Sequence, residues 1–543
     1  MDYNLADLFE AVVDALPDDY TAVAAGDRHL SYRELDARSN RIAHHLAASG
    51  IGEGDHVGLY LYNGTEYLEG MLGCFKIRAI PVNVNYRYVE EELRYLFDDA
   101  DLKAVIFNRE FADRLDAIRH ELPLLQLFVS VEDASGADIE RLGATDYETA
   151  LGAASPKRDF APRSGDDIYI LYTGGTTGMP KGVLWRQEDI FFAAMRGGNP
   201  MGEPIAAPEE IKAKATEKGM QMGYMIVPPL MHGAAQWAAF LAFFGGDKLI
   251  FDTHKKFEPA NIWQLVNDET ANTMVIVGDA MGRPLAEALD DAPEGTWDVS
   301  SLFILGSGGA ILSDRVKEQL RAHFPNLLIV DSYGVSETGY QASRPSAAEA
   351  DDGGGPRFVA DDTTAVLDDN LERVAPGSEA TGMLARSGHI PLGYYKDEAK
   401  SAKTFVTAPD GTRWSLPGDM AQVEADGTIV LLGRGSQSIN SGGEKIYPEE
   451  VEAALKEHPD VFDALVVGVP DDRFGQAVAA VVAARAGSEP KLKELAKFAS
   501  NKVAKYKLPR HLTLVDSVVR SPSGKPDYRW AKEVATKDAA GES

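Results

Sequence analysis

The sequence predicts an α/β protein, with a large N-terminal domain of mixed βαβ sheets and a small α+β C-terminal domain joined by a hinge. Three observations lead there. The 543 residues exceed what one hydrophobic core usually supports, so two or more domains are expected. Apolar runs of strand length alternate with helical patterns from Ser31 to Asp331, which is the signature of βαβ units and a mostly parallel sheet. After Asp419 the pattern changes: Gly433, Arg434, Gly435 and Ser436 form a flexible break, and a compact α+β segment follows. The boundary is placed at Arg434, dividing the chain into 1–433 and 434–543.

In chain order, Ser31 and Glu34 have the spacing of a capping box. They open an amphipathic helix with Leu35, Ile42 and Leu46 on one face. Val57 to Leu61 is a predicted strand, Tyr67 to Phe75 a helix, Ile80 to Val84 a strand, Glu90 to Phe97 a helix and Lys103 to Phe107 a strand. A second run of the same kind begins at Ile168 and passes through Ile226, Lys248 to Phe251, Thr273 to Val277, Leu302 to Leu305 and Leu327 to Asp331. Arg196 to Gly219, broken by Gly197, Gly198, Pro200, Gly202 and Pro204, is expected to be a polar insertion between elements, either a surface loop or a segment bordering a pocket. Gly427 to Gly433 closes a hairpin. The C-terminal segment is expected to hold a helix from Pro448 to Glu457, strands near Ala464 to Val469 and Val478 to Ala483, and a helix from Lys491 to Ala504, with fraying after about Val534.

Composition narrows the function. With 44% apolar and 25% charged residues the chain is of ordinary globular type. Lys and Arg number 54 against 84 Asp and Glu, a net charge of −30 that repels nucleic acid and anionic membrane alike. A bound polyphosphate must therefore be held by local cations and dipoles against the global field. The single cysteine, Cys74, excludes an internal disulfide, fits a reducing compartment and is expected in the core. The acidic start MDYNLADLFEAV lacks the layout of a signal peptide, the apolar stretch Trp237 to Phe244 is too short to span a bilayer, and the chain ends in Gly-Glu-Ser with no peroxisomal address. A cytoplasmic protein is expected, with homo-oligomers possible.

Chemistry concentrates first in Tyr172 to Val183, YTGGTTGMPKGV, directly after the apolar run Ile168 to Tyr172. Glycine N–H groups, threonine hydroxyls and one lysine are what a polyphosphate needs. The loop is not a Walker loop, because Met179 and Pro180 separate Lys181 from the preceding glycine and no Ser or Thr follows the lysine. Six further segments follow in order: VPPLMHGAAQW (227–237), LGSGGA (305–310), DSYGVSETG (331–339), WSLPGDM (414–420), SGGEK (441–445) and SPSGKPD (521–527).

Together these segments resemble the adenylate-forming superfamily of acyl-CoA synthetases, peptide-synthetase adenylation domains and luciferases, over nearly the whole chain from Leu30 to about Lys532. The resemblance implies ATP, Mg2+ and coenzyme A as co-substrates and cofactor, with a small carboxylic acid as the partner. It implies that Thr173, Gly174, Gly175, Thr176, Thr177 and Lys181 cradle phosphates. Gly308, Gly309, Ala310, Asp331, Ser332, Tyr333 and Gly334 would meet adenine, Ser336 the α-phosphate, and Glu337 the metal. Asp419 and Arg434 would hold the ribose, although Pro417 stands where the family usually has threonine. Ser441, Gly442 and Gly443 would line the pantetheine channel, and Ser436 would be the hinge, where the family usually has aspartate or lysine. Lys525 would be the adenylation lysine. His232, with Trp237, Gly306 and Gly308, would shape the carboxylate end of the acid site; His232 is read as positioning, not as a general base. GVLWRQEDIF, PPLMHGAAQW, GRGSQSIN and RSPSGKPDYRWAK look like those of bacterial ligases for fatty acids and steroid side-chain carboxylates. Ala234, Ala235, Ala238 and Phe240 would suit such an apolar tail.

The leading reading is an ATP-dependent acyl-CoA ligase. Three alternatives stand beside it: a ligase that loads a carrier protein, a luciferase-like oxygenase, and a non-catalytic nucleotide-binding scaffold. Free-CoA assays, oxygen consumption and pyrophosphate exchange separate them.

Overall fold

The computed structural model describes residues 1–173, 179–200, 202–345, 356–441, 444–471, 474–521 and 524–539. Two parallel arrays organise the N-terminal part. In the first, Ile80–Asn83, His56–Tyr60, Leu102–Asn108, Leu127–Val131 and Thr145–Asp146 lie side by side, all parallel. In the second, a parallel run of Thr21–Ala25, Lys248–Phe251, Gly223–Ile226, Thr273–Ile276, Ile304–Gly308 and Leu328–Val335 forms the core of a larger sheet. From Gly339–Pro345 onward that sheet turns antiparallel, ending in the hairpins of Asp419–Val423 with Ile429–Arg434 and Phe405–Thr407 with Arg413–Ser415. The mixed sheets expected for the N-terminal part are present, and the parallel βαβ portion ends at Leu328–Val335. Past Asp331 short antiparallel strands joined by tight turns replace the crossover helices, and only crossovers allow parallel neighbours.

Local chemistry explains most element starts. Ser31 and Glu34 close their capping box at the head of Tyr32–Ala48, and Asn4 caps Leu5–Ala15 by accepting from the Ala6 and Asp7 amides. The helix Thr65–Lys76 is buried along its length, Cys74 included, so it is sandwiched between layers instead of lying on a surface. Among the described residues no helix is long and apolar enough to cross a membrane.

Four expectations are corrected. Ile168–Thr173 does not join the second parallel array; it pairs antiparallel with Lys181–Arg186 and Gly393–Tyr394 in a separate three-stranded sheet, so the phosphate loop is the connection of a hairpin. The run Gly182 to Trp185 alternates as a strand, and that pairing wins over a crossover. Arg196 to Gly219 is not all surface: Ile205, Ile211 and Ala215 are buried, and the helix Ile211–Glu217 packs on Leu5–Ala15. The helix predicted from Lys491 to Ala504 spans only Leu492–Ala499. The C-terminus does not fray at Val534: Tyr528–Ala539 is one helix, with Ala535 buried and Asp538 accepting from Thr513 at 2.8 Å.

Beyond Arg434 the chain builds its own five-stranded sheet from Glu444–Ile446, Ile439–Ser441, Gly475–Ala484, Val461–Asp471 and His511–Val515. The helices Pro448–Lys456 and Tyr528–Ala539 cover its two faces, each over a separate apolar cluster. Arg485 of this segment is ion-paired with Glu287 of the N-terminal part at 3.0 Å, beside a cavity of about 700 Å³ that Arg315 and Phe462 also line.

Candidate active site

The parallel array ends in the loops that carry the predicted site. Ile304–Gly308 delivers Gly306 and Gly308 to its C-terminal end, and Gly309 and Ala310 follow in the turn. Beside it, Leu328–Val335 carries Asp331, Ser332, Tyr333 and Gly334, with the register shifting between Tyr333 and Gly334. Ser336 and Glu337 occupy the turn into Gly339–Pro345. That turn is pinned: Trp185 Nε1 donates to the Ser336 carbonyl at 3.0 Å and Ser415 Oγ to the Glu337 carbonyl at 2.7 Å. Ligand-facing residues at the carboxyl ends of parallel strands are the general rule for open α/β sheets.

Glu337 is only 8% exposed, and its Oε1 accepts from the Tyr394 hydroxyl at 2.7 Å. No cluster of three or more metal-binding side chains exists among the described residues. One carboxylate with a free oxygen suits a magnesium ion that arrives on nucleotide phosphates, which needs only one or two protein carboxylates. The residues present therefore fit that ion and do not fit a metal site independent of nucleotide.

Asp419, 5% exposed, accepts from the Tyr333 hydroxyl at 2.7 Å and from Arg434 Nε at 3.0 Å. A carboxylate offers about four acceptor positions, which leaves two for vicinal hydroxyls. Burial, and next the Asp419 charge, holds the Tyr333 phenol well above its ordinary pKa, so it stays a donor. Asp331 is less available than expected. Its carboxylate is ion-paired with Lys317 at 2.6 Å, and burial raises its pKa.

Lys525 comes from the far end of the chain. Arg520 forks onto both oxygens of Asp463 at 2.7 and 2.9 Å and donates to the Gly524 carbonyl at 2.9 Å, which anchors the backbone immediately before Lys525. Gly524 lies so close to the N-terminal part that a Cβ there would sit 3.1 Å from the Ala280 methyl and 3.2 Å from Val277. Water reaches the Lys525 side chain, yet protein crowds it. Burial lowers its pKa from the ordinary lysine value, Glu337 and Asp419 pull the other way, and Arg434 adds to the lowering. Lys525 is thus within electrostatic reach of Glu337, Asp419 and Arg434.

His232 caps the helix Gly233–Phe244 from its N-terminal side, with Nε2 buried and without a partner among the described residues. Burial, then the Lys525 and Arg87 charges, pushes its pKa down to about 3. The imidazole is neutral, as a positioning group should be. Asn83 ties this segment to the phosphate-loop strand: its Nδ2 donates to the Tyr172 and Met231 carbonyls at 2.8 and 2.7 Å, and Tyr172 N–H donates back to Oδ1. Trp237 packs beneath Gly233. The apolar residues expected beside the acid divide: Ala234 is exposed and Ala238 half-buried, while Ala235 and Phe240 are wholly in the core, Phe240 against Phe75, Phe243 and Phe244.

Thr173 and Lys181 are directly opposite across the hairpin; Gly174, Gly175, Thr176 and Thr177 lie outside the described residues. Lys181 is ion-paired with Asp397, a partner not anticipated from sequence. Ser436 is exposed in a 3-10 turn, Gly435–Gln437, between Arg434 and the C-terminal sheet. Ser441 is a strand end whose sheet neighbours, Glu444 and Gly475, belong to the C-terminal part; Gly442 and Gly443 are outside the described residues. Tyr394, Asp397 and Lys400 were missed in the sequence, where only Gly393-Tyr394 before a charged helix start hinted at them.

Glu337, Asp419 with Arg434, Lys525 and the Ile168–Thr173/Lys181–Arg186 hairpin are the elements that the resemblance to adenylate-forming enzymes singles out. The chain belongs to that family: residues 9–395 match the AMP-binding enzyme model and 450–525 the AMP-binding enzyme C-terminal domain. It is 49% identical over 545 residues to a medium/long-chain-fatty-acid–CoA/3-oxocholest-4-en-26-oate–CoA ligase of Mycolicibacterium smegmatis, covering 100% of this chain and 98% of that one. It is 48% identical to a 3-oxocholest-4-en-26-oate–CoA ligase of Rhodococcus rhodochrous, with 98% and 96% covered. In fold it is similar to the anthranilate CoA ligase AuaEII solved in complex with anthranoyl-AMP, with TM-score 0.84, 22% identity and 99% and 98% covered.

Proposed function

We propose that the protein is an ATP-dependent acyl-CoA ligase for hydrophobic carboxylic acids, acting in the cytoplasm. The observation that carries this reading is the meeting of Lys525 with Glu337, Asp419 and Arg434 in one cleft. A carboxylate oxygen of the acid attacks the α-phosphorus of ATP, and pyrophosphate leaves with the electron pair of the broken P–O bond. The thiol sulfur of CoA, having given up its proton, then attacks the acyl carbon, and AMP leaves. The first step brings two anions together, so preorganised cations count most there. The Lys525 ammonium offsets charge at the acyl and α-phosphate oxygens, and Lys181 does so at the loop. Asp419 and Arg434 fix the ribose, Tyr333 offers adenine a face, and Ser336 donates to the α-phosphate. Glu337 would hold a magnesium ion arriving on the phosphates, which would supply further charge neutralisation.

In this reading residues 1–433 bind nucleotide and acid, and residues 434–543 form a mobile domain that turns about Ser436. One orientation presents Lys525; the other presents Ser441, Gly442 and Gly443 to pantetheine. Medium- or long-chain fatty acids and steroid side-chain carboxylates are the substrates, in line with what the relatives' names state and with the apolar helix after His232.

The test is a panel from acetate through long fatty acids to steroid carboxylates, scored for AMP release with and without CoA, on wild type and Lys525→Ala. Wild type is expected to prefer the hydrophobic acids and to require CoA for turnover. The variant should lose adenylation by on the order of 10²–10³ while still converting premade acyl-adenylate to thioester. Preference for acetate or an amino acid, or equal loss of both half-reactions, overturns the reading.

A further inference from the structure

A second lysine stands beside the phosphate hairpin, outside every motif read from the sequence. Lys400 lies in the short helix Glu398–Thr404 and is half-buried. Its backbone amide donates to Asp397 Oδ1 at 3.0 Å, while the other oxygen of Asp397 takes Lys181. Its ammonium sits 4.3 Å above the centre of the Tyr394 ring, and the hydroxyl of that ring binds Glu337. It feels the charges of Glu337, Lys181, Asp397 and Arg434. Among the described residues it makes no ion pair. The neighbouring lysine is thus neutralised by Asp397, and this one is held over an aromatic face with no counter-ion.

A half-buried ammonium without an anion is an incomplete arrangement. Burial lowers its pKa, with the Lys181 and Arg434 charges adding to the lowering and Glu337 and Asp397 opposing it. The cation–π contact orients the amine without neutralising it. The neighbours indicate what completes the arrangement. Lys181 begins the strand that leaves the hairpin loop, and Glu337 is the carboxylate that the adenylating reading assigns to a nucleotide-borne metal. Under the adenylating reading, the anion that would come to such residues is the polyphosphate end of the nucleotide.

We propose that Lys400 is a second polyphosphate-binding cation, which takes the β- and γ-phosphates of ATP and the pyrophosphate they become. This rests on the adenylating reading above. Lys525 serves the oxygens around the bond being made; Lys400 serves the leaving group. As the bond from the α-phosphorus to the bridging oxygen breaks, charge builds on the β-phosphate, and a fixed ammonium there stabilises the departing anion. In the thioester step no pyrophosphate is present, so Lys400 has nothing to bind.

The test compares wild type, Lys400→Met and Lys400→Arg by calorimetric titration with ATP, AMP and inorganic pyrophosphate, each with magnesium and again in EDTA. Lys400→Met is expected to weaken ATP and pyrophosphate by about 10- to 100-fold, with AMP within about twofold. Lys400→Arg should recover most of the loss. In kinetics, the KM for ATP should rise and pyrophosphate exchange should slow, while thioester formation from premade acyl-adenylate stays within about twofold. Equal weakening of AMP and ATP would mean that Lys400 merely supports the fold, and the proposal falls. A loss present with magnesium but absent in EDTA would mean that it acts only through Tyr394 and Glu337, and the direct contact falls. Unchanged ATP binding overturns it outright. Because binding is read without any acid, failure of the ligase reading on the acid panel is a separate result.

Discussion

His232 illustrates how one side chain ties the site to the stability of the fold. Its pKa is about 3 in the folded protein against an ordinary 6.5, because burial and the facing Lys525 disfavour the charged ring. Below pH 6.5 the unfolded chain therefore binds a proton that the folded chain does not, and stability falls as pH drops from 6.5 towards 3. The slope is about 1.4 kcal/mol per pH unit for this group. His232→Phe removes it. Between pH 7 and pH 5, urea unfolding should show wild type losing about 2 kcal/mol more than the variant; equal losses would place the imidazole in water. Residues like Lys525, Glu337 and Asp419 were legible beforehand because each sits in a short contiguous segment whose chemistry can be read locally. Tyr394, Asp397 and Lys400 were not. They reach the site only because Gly393–Tyr394 pairs with Lys181–Arg186, two segments about two hundred positions apart, and no local pattern encodes that pairing. The same limit explains Asp331, whose partner Lys317 lies on the preceding helix and whose carboxylate therefore answers to a neighbour before any ligand.

At the scale of elements, the junction between Ile429–Arg434 and Pro448–Lys456 concentrates the conformational chemistry. Gly433 has φ +119°, where only glycine is comfortable, and a Cβ there would overlap the Glu449 carboxylate. Glu449 Oε1 accepts from Arg434 N–H at 3.3 Å, while Oε2 is buried without a partner among the described residues. Burial, and next the Glu452 charge, pushes its pKa up to about 8. A raised carboxyl pKa means that the packed state holds the proton more tightly than a released one. Packing of this junction is thus fully supported below the ordinary carboxylate pKa and weakens as pH climbs through 8. Trypsin cleavage after Arg434 reports it: from pH 7 to pH 9 wild type should become about tenfold more susceptible relative to Glu449→Gln, which mimics the protonated acid. A constant ratio would contradict the buried proton. Sequence periodicity found most of these elements within a few residues, since strand alternation and capping are local. Periodicity could not tell that Ile168–Thr173 leaves the parallel array, because a hairpin partner and a crossover partner look alike from one strand.

For the whole molecule the question is how a chain of net charge −30 brings ATP and CoA, both polyanions, to one carbon atom. Local arrangement offers an answer under the proposed reading: Lys181, Lys400, Arg434 and Lys525 are the cations assigned to the cleft, and two of them, Lys181 and Arg434, are paired with carboxylates. Gly524 is pressed against Val277 and Ala280, and under the proposed mechanism that leaves Lys525 in place for adenylation while the thiol needs its own approach to the acyl carbon. On the proposed reading the C-terminal part moves between steps, and one contact that such a move would break is the Arg485–Glu287 pair at the rim of the cavity of about 700 Å³. The lone Cys74 makes this testable, since it is fully buried with its pKa pushed up by desolvation and does not compete for thiol reagents. In the double variant Glu287→Cys, Arg485→Cys, a short cleavable bis-maleimide should lock the orientation described here. Locked protein is expected to keep acid-dependent ATP–pyrophosphate exchange within about threefold and to lose acyl-CoA formation by more than about tenfold, both returning to normal once the linker is cut. If locked protein still forms acyl-CoA at the wild-type rate, the two half-reactions share one arrangement, and Lys525 serves both without leaving the cleft.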